Sequence, residues 1–296
     1  MNYIGISAGF HDAALSVINS KGDILFAGHS ERYSKNKNDK NLNYDLVQDA
    51  LSYVTEDFEL HYYEKPFLKY LRRWYSGEKP RISELSLSNN VIGKGLHALL
   101  RDKKIHTHGH HLSHAAAGFQ TSGFTDATVV IIDAIGEFDT ISIWDAHYNE
   151  LGKATYTKLA SKKYPNSLGL FYSALTQRIG LVPNEEEYIT MGMAAFGEPK
   201  YYGEMHSILI NDSRNIDFRE NLHTGFTDNF FPDAKPEDLA ASGQILIEGL
   251  LNNIFTHAKI IGKSRNLVYG GGVALNCVAN RLIGKHFDKI WIMPNP

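Results

Sequence analysis

The chain has 296 residues, 43% of them hydrophobic and 21% charged, with a formal net charge of -3 at pH 7. That length holds two packed cores, and a chain with no basic excess gives no electrostatic support to a nucleic-acid surface. The single cysteine, Cys277, excludes an internal disulfide framework; no signal peptide and no 18-residue apolar run is readable, so the sequence points to the cytoplasm and away from membranes.

Residues 3–8 read as an apolar strand, Gly9-Phe10-His11-Asp12 as a tight turn, and Ala13 to Ile18 as a second strand. A hairpin loop from Asn19 to Asp23 leads to a third strand from Ile24 to His29, so the chain opens on a three-stranded meander. Helical periodicity follows at Tyr44, Leu46, Val47, Ala50, Leu51 and Val54. An aromatic segment from Leu60 to Tyr70 and a polar, helix-prone stretch from 76 to 104 complete the first part.

The run His110-His111-Leu112-Ser113-His114 then enters a helical pattern at Ala115, Ala116 and Ala117. Residues four apart share one face of a helix, so the His110 and His114 ring nitrogens can meet a single metal ion. His111 points about 100° away around the helix and reads as a packed residue. The chain has fourteen histidines, so spacing alone leaves a chance pair open. The zinc-protease pattern is absent, because His111 stands where that pattern has its glutamate base.

The strand-turn-strand pattern recurs. Ala127 to Asp133 is an apolar strand, Ala134 to Asp139 a turn, Thr140 to Ala146 a second strand and Lys153 to Leu159 a third. Both halves thus place carboxylates in a glycine-containing turn: Asp12 in the first, Asp133, Glu137 and Asp139 in the second. Asp133 is the best candidate to hold a metal or its water, because so apolar a strand rarely ends in an acid; a turn cap is the plainer alternative. Duplicated units of this kind match the RNase H-like halves of the actin, hexokinase and Hsp70 ATPase fold, an α/β architecture whose turns grip phosphates through backbone N–H groups. A strand from Asn266 to Tyr269 runs into Gly270-Gly271-Gly272, and Val273 to Asn280 opens a helix. There the backbone can approach a ligand closely and offer N–H groups to an anion, although a simple strand-to-helix turn explains three glycines equally well. A long amphipathic helix from about Pro236 to Ile260 carries Leu239, Ile245, Leu246, Leu250, Ile254 and Ala258 at helical spacing. The first half is expected over 1–122 and the second over 125–296, the second lacking its closing helix.

Several blocks occur in order along the chain: Phe10-His11-Asp12, His110 to Ala116, Asp133 to Glu137, Ser167 to Ser173, Met191 to Gly197 and Gly271 to Asn276. Together with Tyr63 to Lys69 they resemble the signature blocks of the O-carbamoyltransferases of nodulation-factor and antibiotic biosynthesis. The resemblance implies that carbamoyl phosphate and ATP give an enzyme-bound carbamoyl adenylate, whose carbamoyl group passes to a hydroxyl of a small acceptor, commonly a sugar. It implies iron or a similar divalent metal on His110 and His114; Asp133, from its place at the end of the apolar strand, is the carboxylate expected beside them. His11 is then a general base on the acceptor hydroxyl, or a carbamoyl-binding group, or a turn histidine satisfied by backbone. Asp12 holds His11, contacts the nucleotide, or simply forms the turn. Gly270, Gly271, Gly272 and Asn276 are the expected nucleotide contacts. Tyr156, Phe171, Tyr172 and Tyr188 are candidates for an acceptor pocket, with core packing the plainer reading, and Glu187 for a contact to a substrate hydroxyl.

The chain departs from that family pattern in two places. Many members carry lysine where this chain has Ile189, which puts the acceptor class in doubt. The sequence also stops near Pro296, before the Gly-Asp-x-Gly helix that supplies another metal ligand in the family and before the adenylate-forming domain. These 296 residues alone are therefore expected to bind metal weakly and to make no adenylate. Two other functions share parts of the pattern: a threonylcarbamoyl transferase of tRNA modification, and an ATP-binding, sugar-kinase-like module that works without the metal.

Overall fold

The computed structural model describes residues 1–9, 12–87, 96, 100 and 103–294. The chain forms two compact units, Met1–Ser113 and His114–Pro296. In the first, β1 (Asn2–Ser7), β2 (Ala14–Asn19) and β3 (Ile24–His29) form the expected antiparallel meander. Two more strands, β4 (Phe58–Tyr62) and β5 (Ile105–Thr107), run parallel to β1, giving the sheet order β3-β2-β1-β4-β5. Alternate residues of a strand face opposite sides, so Ile4, Ile6, Leu15, Val17, Phe58 and Leu60 build one core with Leu46, Val47 and Ala50.

Those last three lie on α2 (Tyr44–Ser52), which follows the short α1 (Ser30–Ser34). The start of α2 is set by Asn43, whose Oδ1 accepts from the Asp45 N–H at 2.8 Å. The aromatic segment of the sequence resolves into β4 and helix α3 (Pro66–Tyr75), with Pro66 at a first-turn position where its missing N–H costs nothing. Of the stretch expected to be helical between 76 and 104, Ile82–Leu85 forms a 3-10 turn; residues 88–95, 97–99 and 101–102 lie outside the described residues.

Helix α4 (His110–Thr121) leads into β6 (Asp126–Gly136), β7 (Asp139–Tyr148) and β8 (Ala154–Lys163), a second antiparallel meander. A two-stranded ribbon, β9 (Ile210–Asp212) with β10 (Asp217–Phe218), stands apart from the main sheet. The strands β11 (Asn266–Gly270) and β12 (Lys289–Ile292) add in parallel beside β6, in the order β12-β11-β6-β7-β8. Counted from the meander edge, the two sheets share one strand order and one pattern of directions. Each unit is an RNase H-like half of the kind duplicated in the actin, hexokinase and Hsp70 ATPase fold.

Helices α5 (Leu168–Arg178), α6 (Glu187–Met193), α7 (Tyr202–Leu209) and α8 (Pro236–Ile261) follow the second meander. Leu239, Leu246, Leu250, Ile254 and Ala258 of α8 are buried in the core, whereas Ile245 is 40% exposed, because a helix turns it away from the stripe its neighbours form. The expected turn from Ala134 to Asp139 is shorter than its sequence suggests. Strand β6 continues through Gly136, its pairing with β7 shifts between Ile132 and Gly136, and only Glu137 and Phe138 remain between the strands. Asp133 therefore sits in a strand irregularity and not at the strand's end. Among the described residues, no helix is long and apolar enough to cross a membrane.

Tyr269 is a polar misfit in the core of the second unit. Tyr269 on β11 is fully buried against Phe255, with ring centroids 5.2 Å apart, and its hydroxyl has no hydrogen-bond partner among the described residues. An unsatisfied buried hydroxyl costs about 1–3 kcal/mol. Tyr269→Phe is accordingly expected to leave stability unchanged or raise it by about 1 kcal/mol, measured by urea denaturation; a loss of stability would show that the hydroxyl is satisfied in solution.

Candidate metal centre

His110 and His114 stand one turn apart on α4, and Asp133 lies on β6. Each offers one ligand atom, and these atoms all lie within 4.8 Å of one another. His114 Nε2 is 3.5 Å from Asp133 Oδ2, and both side chains are only about one fifth exposed, at 23% and 20%. Two imidazoles and one carboxylate form the donor set associated with iron(II) sites that keep open positions, so these residues fit the metal that the sequence pattern implies.

The strand irregularity sets Asp133 in place. Its Oδ1 accepts the Ala134 N–H at 2.8 Å, while Oδ2 is the atom nearest His114. The Ser167 hydroxyl donates to Ala134 O at 2.7 Å and accepts the Leu170 N–H at 3.1 Å, joining the start of α5 to this part of β6. Gly169 completes that junction, since a Cβ there would stand 2.6 Å from Ala134 Cα. From the other side, a Cβ on Gly271 would meet Ile132 O at 2.3 Å, and one on Gly272 would lie 3.3 Å from Asp133 Oδ1. Glycines from two segments thus let the backbone close tightly around Asp133.

Helix α4 packs on β11 through Gly118 and on β7 through Phe119. A Cβ on Gly118 would come within 2.6 Å of Val268 Cγ1, and Phe119 is fully buried, 5.1 Å from the Tyr148 ring. His111 is 3% exposed, as expected of a packed residue.

The sequence reading did not single out Glu64. Its carboxylate is buried, with the side chain 6% exposed, and its Oε1 lies 3.8 Å from His110 Nδ1 while Oε2 accepts from Lys69 Nζ at 2.8 Å. Burial pushes the Glu64 carboxyl up, but His110 and Lys69 outweigh it and hold the group below its ordinary value of 4.5. A carboxylate behind a ligating imidazole fixes the ring's orientation and raises its basicity. Glu64→Gln is expected to weaken metal binding by about 10–100-fold, read by competition with a chelating dye. Because the folded-state value is depressed, the carboxylate stabilises the fold at higher pH, and that contribution is lost as pH falls through the depressed value. Glu64→Gln should therefore flatten the acid limb of the stability profile below pH 4.5. An unchanged limb and unchanged metal affinity would remove Glu64 from the site.

Other expected residues are placed differently. Asp12 adopts a left-handed backbone (φ 53°) in the turn after β1, a conformation that aspartate tolerates. Its neighbours Phe10 and His11 lie outside the described residues. Asp139 pairs with Lys158 at 2.5 Å. After Gly270 the chain forms a 3-10 turn, Gly272–Leu275, and a single turn α9 (Cys277–Asn280), in place of the continuous helix that was expected. The break falls at Asn276, whose buried side chain accepts the Ala279 N–H at 3.0 Å and exchanges two hydrogen bonds with Gln244. Tyr172 also turns inward, its hydroxyl donating to Gln244 Oε1 at 2.8 Å, and Phe171 is in the core. Tyr156 accepts from Gln120 at 3.2 Å, Tyr188 is 67% exposed, and Glu187 accepts from Ser173 at 2.6 Å.

The helix pair of histidines and the facing aspartate form a group that could hold a metal ion, in a chain whose two halves share the ATPase-like strand order. By its match over residues 82–296, the chain belongs to the carbamoyltransferase N-terminus family. It is 33% identical to the uncharacterized protein sll1178 of Synechocystis sp., over 98% of this chain and 54% of that one. The nodulation protein NolNO of Sinorhizobium fredii is 26% identical, over 96% of this chain and 44% of its own length. The chain thus spans about half the length of the curated relatives it matches. Among solved structures, T. kodakarensis HypF is similar at a TM-score of 0.48 and 12% identity, covering 99% of this chain and 45% of that one.

Proposed function

We propose that this chain forms the transfer site for moving a carbamoyl group to a hydroxyl of a small acceptor, a sugar or glycoside, with a divalent iron held by His110, His114 and Asp133. The observation that carries this reading is the gathering of those three ligand atoms within 4.8 Å in a chain of the carbamoyltransferase N-terminus family. When bound, the ion supplies a Lewis acid for the carbamoyl carbonyl. Asp133, anchored through Ala134 N–H, and His110, backed by Glu64, hold their donor atoms ready without large rearrangement. His11 takes the proton from the acceptor hydroxyl as it attacks, a role suited to a group titrating near neutrality. The backbone of Gly270-Gly271-Gly272 receives the nucleotide end of the carbamoyl donor, a carbamoyl adenylate made from ATP and carbamoyl phosphate in a further, adenylate-forming domain of the full-length protein.

The test is an anaerobic incubation of the full-length protein with iron, ATP, carbamoyl phosphate and a panel of sugars. The expected products are AMP and a sugar heavier by one carbamoyl group. Phosphorylated sugar with ADP would assign the kinase-like alternative, and threonylcarbamoyl transfer to tRNA the other; either would overturn the proposal.

A further inference from the structure

In the second unit one buried amide joins α5, α8 and the start of α9. Gln244 lies on α8, and its Oε1 accepts from the Tyr172 hydroxyl at 2.8 Å and from Asn276 Nδ2 at 3.0 Å. Its Nε2 donates to Asn276 Oδ1 at 3.1 Å and to Glu248 Oε1 at 3.2 Å. Both acceptor positions and both hydrogens of the amide are therefore used, and a carboxylate in its place would have no hydrogen to give Asn276 or Glu248. Asn276, also buried, passes the constraint on. Its Oδ1 accepts the Ala279 N–H at 3.0 Å as well, which fixes the bend between the 3-10 turn Gly272–Leu275 and α9.

That bend closes the segment that begins with the glycine run. At its front, Gly271 is pressed so near Ile132 O that a Cβ would stand 2.3 Å away, and Gly272 lies beside Asp133. At its rear, two ties reach α8 one helical turn apart: Asn276 to Gln244, and Arg281 to Glu248 at 2.5 Å. The Arg281 side chain is 59% exposed, so solvent screens that ion pair. The amide pair is out of water, where a doubly hydrogen-bonded contact holds its geometry more firmly. We propose that Gln244 is the positioning residue of the nucleotide cradle: through Asn276 it holds the Gly270-Gly271-Gly272 backbone in the form that receives the nucleotide end of the donor. The proposal rests on the assignment of that backbone to the nucleotide. A backbone already held in its binding form loses no affinity to ordering.

The test is calorimetric titration of the 296-residue chain with AMP, the nucleotide end of the donor, alongside thermal unfolding of each variant. Gln244→Met keeps the length of the side chain and removes its hydrogen bonds, and it should weaken AMP binding by about tenfold, the loss of a hydrogen-bonded pair carried into the binding constant. Tyr172→Phe removes one bond from the same network and leaves the amide pair in place. Its Tm should fall while its AMP affinity stays at the parent value. Gln244→Asn keeps an amide but withdraws it by one methylene; it should weaken AMP binding as well, and it decides the matter if Gln244→Met does not fold. Parent affinity in a folded Gln244 variant would overturn the proposal, as would equal weakening in Tyr172→Phe, which would tie affinity to the stability of the core alone. Absence of AMP binding by the parent chain would overturn the nucleotide assignment itself, and this proposal with it.

Discussion

His114→Ala is expected to weaken iron binding by more than about a hundredfold, the upper end of what loss of an outer partner costs. A directly ligating imidazole leaves a larger deficit, because its removal opens a coordination position that only water can fill. Asp133→Asn should act in the same direction for a different reason: the amide keeps the shape and the hydrogen bond to Ala134 N–H but removes the negative charge that faces His114. Equilibrium dialysis against buffered Fe2+ reads both. His111→Gln, at a buried position one residue from His110, is the control. It should cost stability and leave iron affinity nearly unchanged. Equal iron affinity in His114→Ala and the parent would mean that the three residues hold no metal.

The largest effect on folding is expected at Gly271. Its backbone, φ 85° and ψ 160°, lies in a region open essentially to glycine alone, and a Cβ there would stand 2.3 Å from Ile132 O. Backbone strain of about 1–3 kcal/mol adds to an overpacking cost of about 1–3 kcal/mol. Gly271→Ala should therefore destabilise the chain by about 2–6 kcal/mol, a lowering of Tm on the order of 10 °C for a domain of this size. The strained neighbour is Ile132, next to Asp133, so iron affinity should fall as well. Gly284→Ala is the comparison, since a Cβ there meets nothing within 4 Å. A melting temperature for Gly271→Ala equal to that of Gly284→Ala would show that the β6–β11 junction relaxes freely.

The meanders and the histidine pair were legible in the sequence because their signals are local. Alternation at Ile4, Ile6, Leu15 and Val17 marks strands without reference to the rest of the chain, and a four-residue spacing on a helix is fixed by helix geometry. Strand β4 was hidden because Tyr62 and Tyr63 sit side by side and blur an alternation that really begins at Phe58. The extension of β6 past Asp133 depends on a shift in its pairing with β7, which no single strand's sequence reveals. The glycine run places Asn276 beside an expected nucleotide site, but it gives no sign of the hydrogen bonds its side chain makes to Gln244 on α8 and to the Ala279 N–H. Glu64 illustrates the same limit for the site. A glutamate in an aromatic segment has no periodic signal, and its meaning comes from His110, 3.8 Å away yet 46 positions later in the chain. The only sequence hint was its place in the block from Tyr63 to Lys69.

The central claim is that His110 and His114 bind one iron together with Asp133. X-ray absorption at the iron edge, on full-length protein loaded anaerobically with one equivalent of Fe2+, tests it most directly. The account predicts the outer-shell scattering of two imidazole rings, reduced to one in His110→Ala and in His114→Ala. A spectrum of oxygen ligands without imidazole, unchanged by either substitution, would contradict it.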